Sequence, residues 1–102
     1  MEFVVENLQT GKGTVQACQL KWSTSWCFVV DAPKGSILCG SFDIEALNGF
    51  GLPAAKIVPE PGKPAYTVGQ FVERKITHVN ALAEALGVAP GMSVGEAVEK
   101  LS

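Results

Sequence analysis

The residues of this 102-residue chain best suited to chemistry lie at Cys39-Gly40-Ser41 and just beyond, at Asp43 and Asn48. Cys39 ends an apolar run and stands ahead of a segment that reads as a helix start. Free N–H groups and the dipole at such a start favour an anion, either a thiolate or a bound carboxylate or phosphate. Gly40 removes the side chain that would block a ligand's approach. Cys39, Gly40, Ser41, Asp43 and Asn48 therefore form a candidate ligand-binding set. Ser41 and Asp43 are its polar neighbours, and Asn48 has an orienting role. The same pattern admits a thiol-dependent enzyme with Cys39 as nucleophile. It also describes a small buried cysteine packing a strand against a helix, with Gly40 making room, because free cysteine is among the most buried residue types.

The other reactive residues give weaker patterns. His78 is the single histidine and falls in the expected first turn of a helix, where a surface role suits it. Nothing in the spacing brings it to Cys39 as a general base. Asp43 and Glu45 are two apart, so on a helix they do not face each other; a cap plus a favourable first-turn charge explains them better. Trp22 and Trp26 have the surfaces to stack a flat ligand, but aromatics flanking a hairpin more often serve core or interface. Gly87 to Gly91 lacks the Lys-Ser/Thr ending of a phosphate loop. A metal site would have to recruit Cys39, His78 and Asp43 from scattered positions, and neither a metal nor a cofactor is expected.

The elements that must position these residues change character near residue 40. Before it the chain reads as strands. Phe3-Val4-Val5 opens a short one, Thr14 to Trp22 alternates polar and apolar residues, and Trp26 to Asp31 is apolar and β-branched. Ser23-Thr24-Ser25 reads as the hairpin loop between the last two. Asp31 to Gly35 is a Pro-Gly turn, and Ser36 to Cys39 makes a fourth strand. Consecutive hairpin pairing then puts Cys18, Leu20 and Trp22 on one face with Trp26, Phe28, Val30, Ile37 and Cys39. That bulkier face should meet the helices. The other, with Val15, Ala17, Cys27, Val29 and Leu38, is left for a partner or the N-terminal strand.

After residue 40, Asp43 to Asn48 reads as a short helix capped by Asp43. Ala54 to Val58 reads as a fifth strand, and Pro59 to Pro64 as a stiff exposed loop, because three prolines cannot donate to a ladder. Thr67 and Gln70 form a capping-box pattern ahead of Val68, Phe71 and Val72. Thr77 to Leu86 has an i, i+3, i+4, i+7 stripe of Val79, Leu82, Ala83 and Leu86, closed by Gly87. Ser93 and Glu96 form a second capping box before Val94, Ala97, Val98 and Leu101, and Met92 is placed to staple against Ala97. The expected architecture is one α+β domain over residues 1–102. It has two layers, a mainly antiparallel sheet of about five strands packed on three to four helices.

Two segments resemble a known family. Cys39 to Asn48 is similar to the Cys-Gly-x-x-Asp-x-x-x-Leu-Asn signature of the YunC family. Leu86 to Ala97 is similar to its Leu-Gly-hydrophobic-x-x-Gly-Met-Ser-x-x-Glu-Ala pattern. The upstream hairpin and Thr67 to Val72 also look similar, and Pro59 to Pro64 looks like an insertion relative to shorter members. YunC-like proteins are small bacterial and archaeal proteins of unknown function, so the resemblance implies a compact α+β fold and no reaction.

Composition excludes further classes. The formal net charge is −2 and the eight Lys and Arg residues are scattered, so no basic patch for nucleic acid is expected. No apolar run is long enough to span a bilayer, and Met1 to Glu6 lacks a basic region ahead of an apolar stretch. Three cysteines without a Cys-x-x-Cys pair suit reduced thiols and the cytoplasm. Apolar residues make up 47% and charged residues 18%; so little charge on so small a surface suggests a homo-oligomer. The expected function is a small-molecule-binding or assembly module, its pocket at the end of the strand that closes with Cys39-Gly40.

Overall fold

The computed structural model describes all residues, 1–102. Its strands are β1 (Glu2–Thr10), β2 (Gly13–Trp22), β3 (Ser25–Ala32), β4 (Gly35–Cys39), β5 (Ala54–Ile57) and β6 (His78–Val79). Its helices are α1 (Ile44–Gly49), α2 (Val68–Val72), α3 (Ala81–Ala85) and α4 (Val94–Lys100). The strands form one six-stranded sheet in sequence order. Neighbours run antiparallel except β4 and β5, which are parallel. The fold is α+β, with a mixed, mostly antiparallel sheet and four short helices. No helix is long and apolar enough to cross a membrane.

The register of β2 departs from expectation. Trp22 pairs with Ser25, Ala17 with Val30 and Gln19 with Phe28. The hairpin loop is therefore two residues, Ser23 and Thr24, rather than three. A one-residue slip turns every side chain of a strand to the other face. Val15, Ala17 and Gln19 thus join Trp26, Phe28, Val30, Ile37 and Cys39 on the helix-facing side. Cys18, Leu20 and Trp22 point away from the main core. The tight loop holds Ser23 at φ 52, a left-handed conformation that two-residue hairpins usually assign to Asn or Gly. With neither residue present, the sequence reads as a longer loop.

The main core lies on that helix-facing side. It joins Val15, Ala17, Phe28, Val30, Ile37, Ala55 and Ile57 of the sheet to Val68, Phe71, Ala83, Val94, Ala97 and Val98 of α2, α3 and α4, and to Leu101 just after α4. The reverse face is covered only at one end. There α1, as the crossover between parallel β4 and β5, packs Ile44 and Leu47 against Leu38, Ala54 and Val29. The N-terminal strand covers neither face. It extends to Thr10 and adds to the sheet edge beside β2.

The helix expected from Thr77 begins at Ala81. Residues 77–80 instead zip onto β5. Thr77 N donates to Lys56 O at 3.0 Å, Val58 N donates to Thr77 Oγ1 at 2.9 Å, and Asn80 N donates to Ala54 O at 3.0 Å. The β-branched run Ile76, Thr77 and Val79 suits an extended chain. His78 accordingly sits on a strand and not in a helix. Asn80 is fully buried and makes four side-chain bonds. Its Oδ1 accepts from Ala54 N (3.1 Å) and Ala83 N (3.0 Å), and its Nδ2 donates to Ile44 O (2.9 Å) and Leu52 O (3.0 Å). One amide thus ties α1, β5 and α3 together.

Ser93 and Glu96 make the full capping box on α4. On α2 the reciprocal arm is displaced. Thr67 accepts from Gln70 N, but Gln70 Oε1 accepts from Tyr66 N at 2.8 Å, one residue before the cap.

Candidate functional site

A cavity of about 540 Å³ opens where β4 and β5 end, on the helix-facing side of the sheet. Its floor is Phe28 and Ile57, both buried, with Trp26 beside them. Phe71 of α2 forms a wall and stacks on Phe28, the ring centroids 4.8 Å apart and the planes 17° from parallel. Val58 and Pro59 line one side of the mouth, Pro64 and Ala65 the other. The polar lining is small: Thr24, Ser25 and Ser41, the Cys39 thiol and the Arg74 guanidinium. A pocket of this size, mostly apolar with few polar groups, has the form of a small-molecule site.

Two side chains of the sheet hold the far wall in place. Trp26 Nε1 donates to Ala65 O at 2.8 Å and Gln19 Nε2 donates to Tyr66 O at 2.9 Å. Tyr66 tilts against Trp26, the centroids 5.4 Å apart. These bonds draw the segment ahead of α2 down to β2 and β3, leaving a gap between it and the ends of β4 and β5. The proline loop is stitched on as well, since Arg74 Nη1 donates to Lys63 O at 2.8 Å.

The structure divides the residues singled out in the sequence. Cys39, Gly40 and Ser41 line the cavity together, and Cys39 Sγ lies 2.9 Å from Ser41 Oγ. Gly40 is needed for close approach, because a Cβ there would stand 3.2 Å from Val58 Cα and 3.3 Å from Val58 Cγ2. Asp43 and Asn48 are not in the lining. Asp43 caps α1, and its Oδ1 accepts from Glu45 N and Ala46 N, both at 3.1 Å. The helix amides that the sequence suggested for an external anion are thus held by the chain's own carboxylate. Between Cys39 and the helix the chain makes a turn, closed by Phe42 N donating to Cys39 O at 3.3 Å. Asn48 Oδ1 accepts from Leu82 N at 3.0 Å and joins α1 to α3.

His78 pairs with Lys56, so its side chain leaves the sheet on the face opposite Cys39, whose partner is Ile57. Its Nδ1 lies 2.8 Å from Thr77 Oγ1. The cavity lining contains no imidazole or carboxylate that could act as a base toward Cys39. Trp26 lines the cavity whereas Trp22 is 40% exposed on the reverse face. Burial pushes the Cys27 thiol above its ordinary value, and the neighbouring Cys39 and Cys18 charges push it further. Burial raises Cys18 as well.

The walls contributed by Phe71, Arg74 and the proline loop were not singled out as site residues in the sequence. One local signal was present. Arg74 follows Phe71 by three residues, the spacing that puts two side chains on one side of a helical turn. Nothing local showed that this side would face the end of β4.

Known proteins give this site a family and no reaction. No match was found among curated proteins. The crystal structure of a protein of unknown function from Thermoplasma acidophilum, TA1206, superposes with a TM-score of 0.84. It is 18% identical, over 99% of this chain and 94% of that one, and shares the fold. Residues 38–101 match the model of a domain of unknown function, DUF1805; these residues include Cys39-Gly40-Ser41, the proline loop and Arg74, and the chain belongs to that family.

Proposed function

We propose that this protein is a small-molecule-binding module working as a homo-oligomer, with the cavity at the ends of β4 and β5 as its binding site. The cavity itself carries the reading: about 540 Å³, walled by Trp26, Phe28, Ile57 and Phe71, with a few polar groups around it. The resemblance to YunC-like proteins names no ligand and is consistent with this reading. Nucleophilic chemistry at Cys39 would need a base brought in from outside the lining. Three unbonded thiols favour a reducing compartment, and we place the protein in the cytoplasm.

Self-association is supported by the reverse face of the sheet. Phe3 (67% exposed) and Val5 (53%) stand beside Leu20 and Cys18, with Trp22 on the same face. Contiguous exposed apolar side chains on a small domain mark an interaction surface. Sedimentation velocity over a concentration series should show a species larger than the monomer, and Phe3→Glu should return it to the monomer. A monomer at every concentration removes the oligomer from the proposal.

A ligand that binds only the folded state must raise its stability. A thermal-shift screen of small metabolites should therefore find stabilising compounds. Ser41→Phe, an exposed position at the mouth, should abolish their effect while leaving the unliganded melting temperature within a few degrees. The binding reading fails if no compound stabilises the protein at millimolar concentration, or if the same shifts persist in Ser41→Phe.

A further inference from the structure

We infer that the cavity takes a small organic monocarboxylate with an aromatic or branched apolar body, its carboxylate held by Arg74. The inference rests on the cavity being a binding site and adds the class of ligand. Arg74 is the one lining residue with a permanent charge. Its guanidinium has five N–H donors, and a single one is used within the chain, by Lys63 O. No carboxylate lies within salt-bridge distance of it; the two ion pairs of the protein are Lys21 with Glu2 and Lys63 with Glu60. Arg74 is half-buried as a residue, and a guanidinium with free donors beside an apolar cavity attracts an anion whose planar carboxylate matches its fork.

The charge balance selects a monoanion. The one cation of the proline loop, Lys63, is already 3.6 Å from Glu60. Lys75 is exposed and outside the lining. A phosphate dianion would leave one charge without a partner against Phe28, Ile57 and Phe71, and an unpaired charge in apolar surroundings is costly. The rest of the ligand must match the stacked Phe28–Phe71 wall and the Trp26 ring, which favours a flat or branched hydrocarbon body. Ser25 and Ser41 also line the cavity, and their hydroxyls offer a hydrogen bond to a substituent of that body.

The test compares acids with their neutral amides by calorimetric titration. Suitable probes are 3-phenylpropionate and 4-methylpentanoate against 3-phenylpropionamide and 4-methylpentanamide. Wild-type protein should bind at least one acid about ten-fold or more tightly than its amide, the effect of one charge-assisted contact. Arg74→Met should remove that preference and leave the amide's affinity unchanged. If acid and amide bind alike to the wild type, or if Arg74→Met keeps the preference, the carboxylate assignment is overturned while the cavity remains a binding site. Should neither acid nor amide bind either protein, the assignment to this class of acid is overturned, and the thermal-shift screen alone decides the binding reading. If Arg74→Met does not fold, the wild-type preference and its weakening by salt decide the matter alone.

Discussion

The five residues of β4 have two ends built in opposite ways. At its start, Gly35 is buried under α4 and against the turn before β5. A Cβ there would come within 2.4 Å of Pro53 O and 3.0 Å of Leu101 Cδ2. Ser36 N donates to Pro53 O at 3.0 Å, and Lys34 N to Leu101 O at 2.6 Å. The chain's last helix is thereby closed onto the sheet with no room left. At its end, Cys39 and Gly40 are half-buried and face open space. The proline loop and the segment ahead of α2 bridge over them instead of filling in. The same parallel pair of strands therefore runs from a packed end, which holds the fold, to an unpacked one, which is free for a ligand.

Four experiments sharpen or break this contrast. The largest effect belongs to Asn80, in the closed half. Asn80→Ala removes the side-chain partner of Ala54 N, Ala83 N, Ile44 O and Leu52 O. Each lost buried partner costs about 1–3 kcal/mol, so a loss of about 4 kcal/mol in chemical denaturation is expected, or no folded protein at all. Glycine-to-alanine changes at the two ends of β4 come next. Gly35→Ala drives a methyl into a backbone carbonyl and should cost about 3 kcal/mol. Gly40→Ala asks Val58 to move by a few tenths of an ångström and should cost about 1 kcal/mol. Equal costs would refute the contrast.

Thiol labelling reports the same difference without mutation. Cys39, half-buried at the cavity, should react with iodoacetamide in the native protein, and a stabilising ligand should slow it. Cys27, 8% exposed, should react only after unfolding. Mass spectrometry of digested samples separates the two. A Cys39 as protected as Cys27 would show the cavity to be closed in solution.

The smallest effect is a dependence of stability on pH. Cys27 and Cys18 titrate above the ordinary thiol value of 9.0 in the folded protein, mainly through burial. The folded state then holds these protons more firmly than the unfolded chain does. Stability should be level below about pH 8.5 and decline as pH rises past 9 toward the folded-state values. Cys27→Ala should flatten part of that decline in urea midpoints measured from pH 7 to 10.5.

Much of the fold was legible because its signals are local. Ser93 and Glu96 are three residues apart and their bonds close within one turn, so the cap of α4 follows from the sequence. Asp43 as the cap of α1 and Gly87 with φ 95 after α3 are similar cases. The run from Thr77 misled because its helical stripe competes with an edge of β5 about twenty residues away. Hydrogen bonds from Thr77 and Asn80 to that edge decided between them. The hairpin at Ser23 misled by a single residue, enough to exchange the faces of β2. At the candidate site, Cys39-Gly40-Ser41 could be proposed from a strand end beside a glycine. Strand alternation also put Trp26 on the face of Cys39, whereas Phe71 and Arg74 were hidden, being separated from it by up to thirty-five residues.

The sequence by itself determined most of the turns, the caps of α1, α2 and α4, and that an α+β sheet would form, because propensity, caps and alternation act over a few residues. Tertiary structure alone decided which face of β2 is buried and which of the polar groups near Cys39 look into open space. It also decided that an arginine from a distant helix end lies beside them. Those outcomes depend on long-range pairings, such as Gln19 and Trp26 holding residues 65 and 66, whose energies exist only once the whole sheet has assembled.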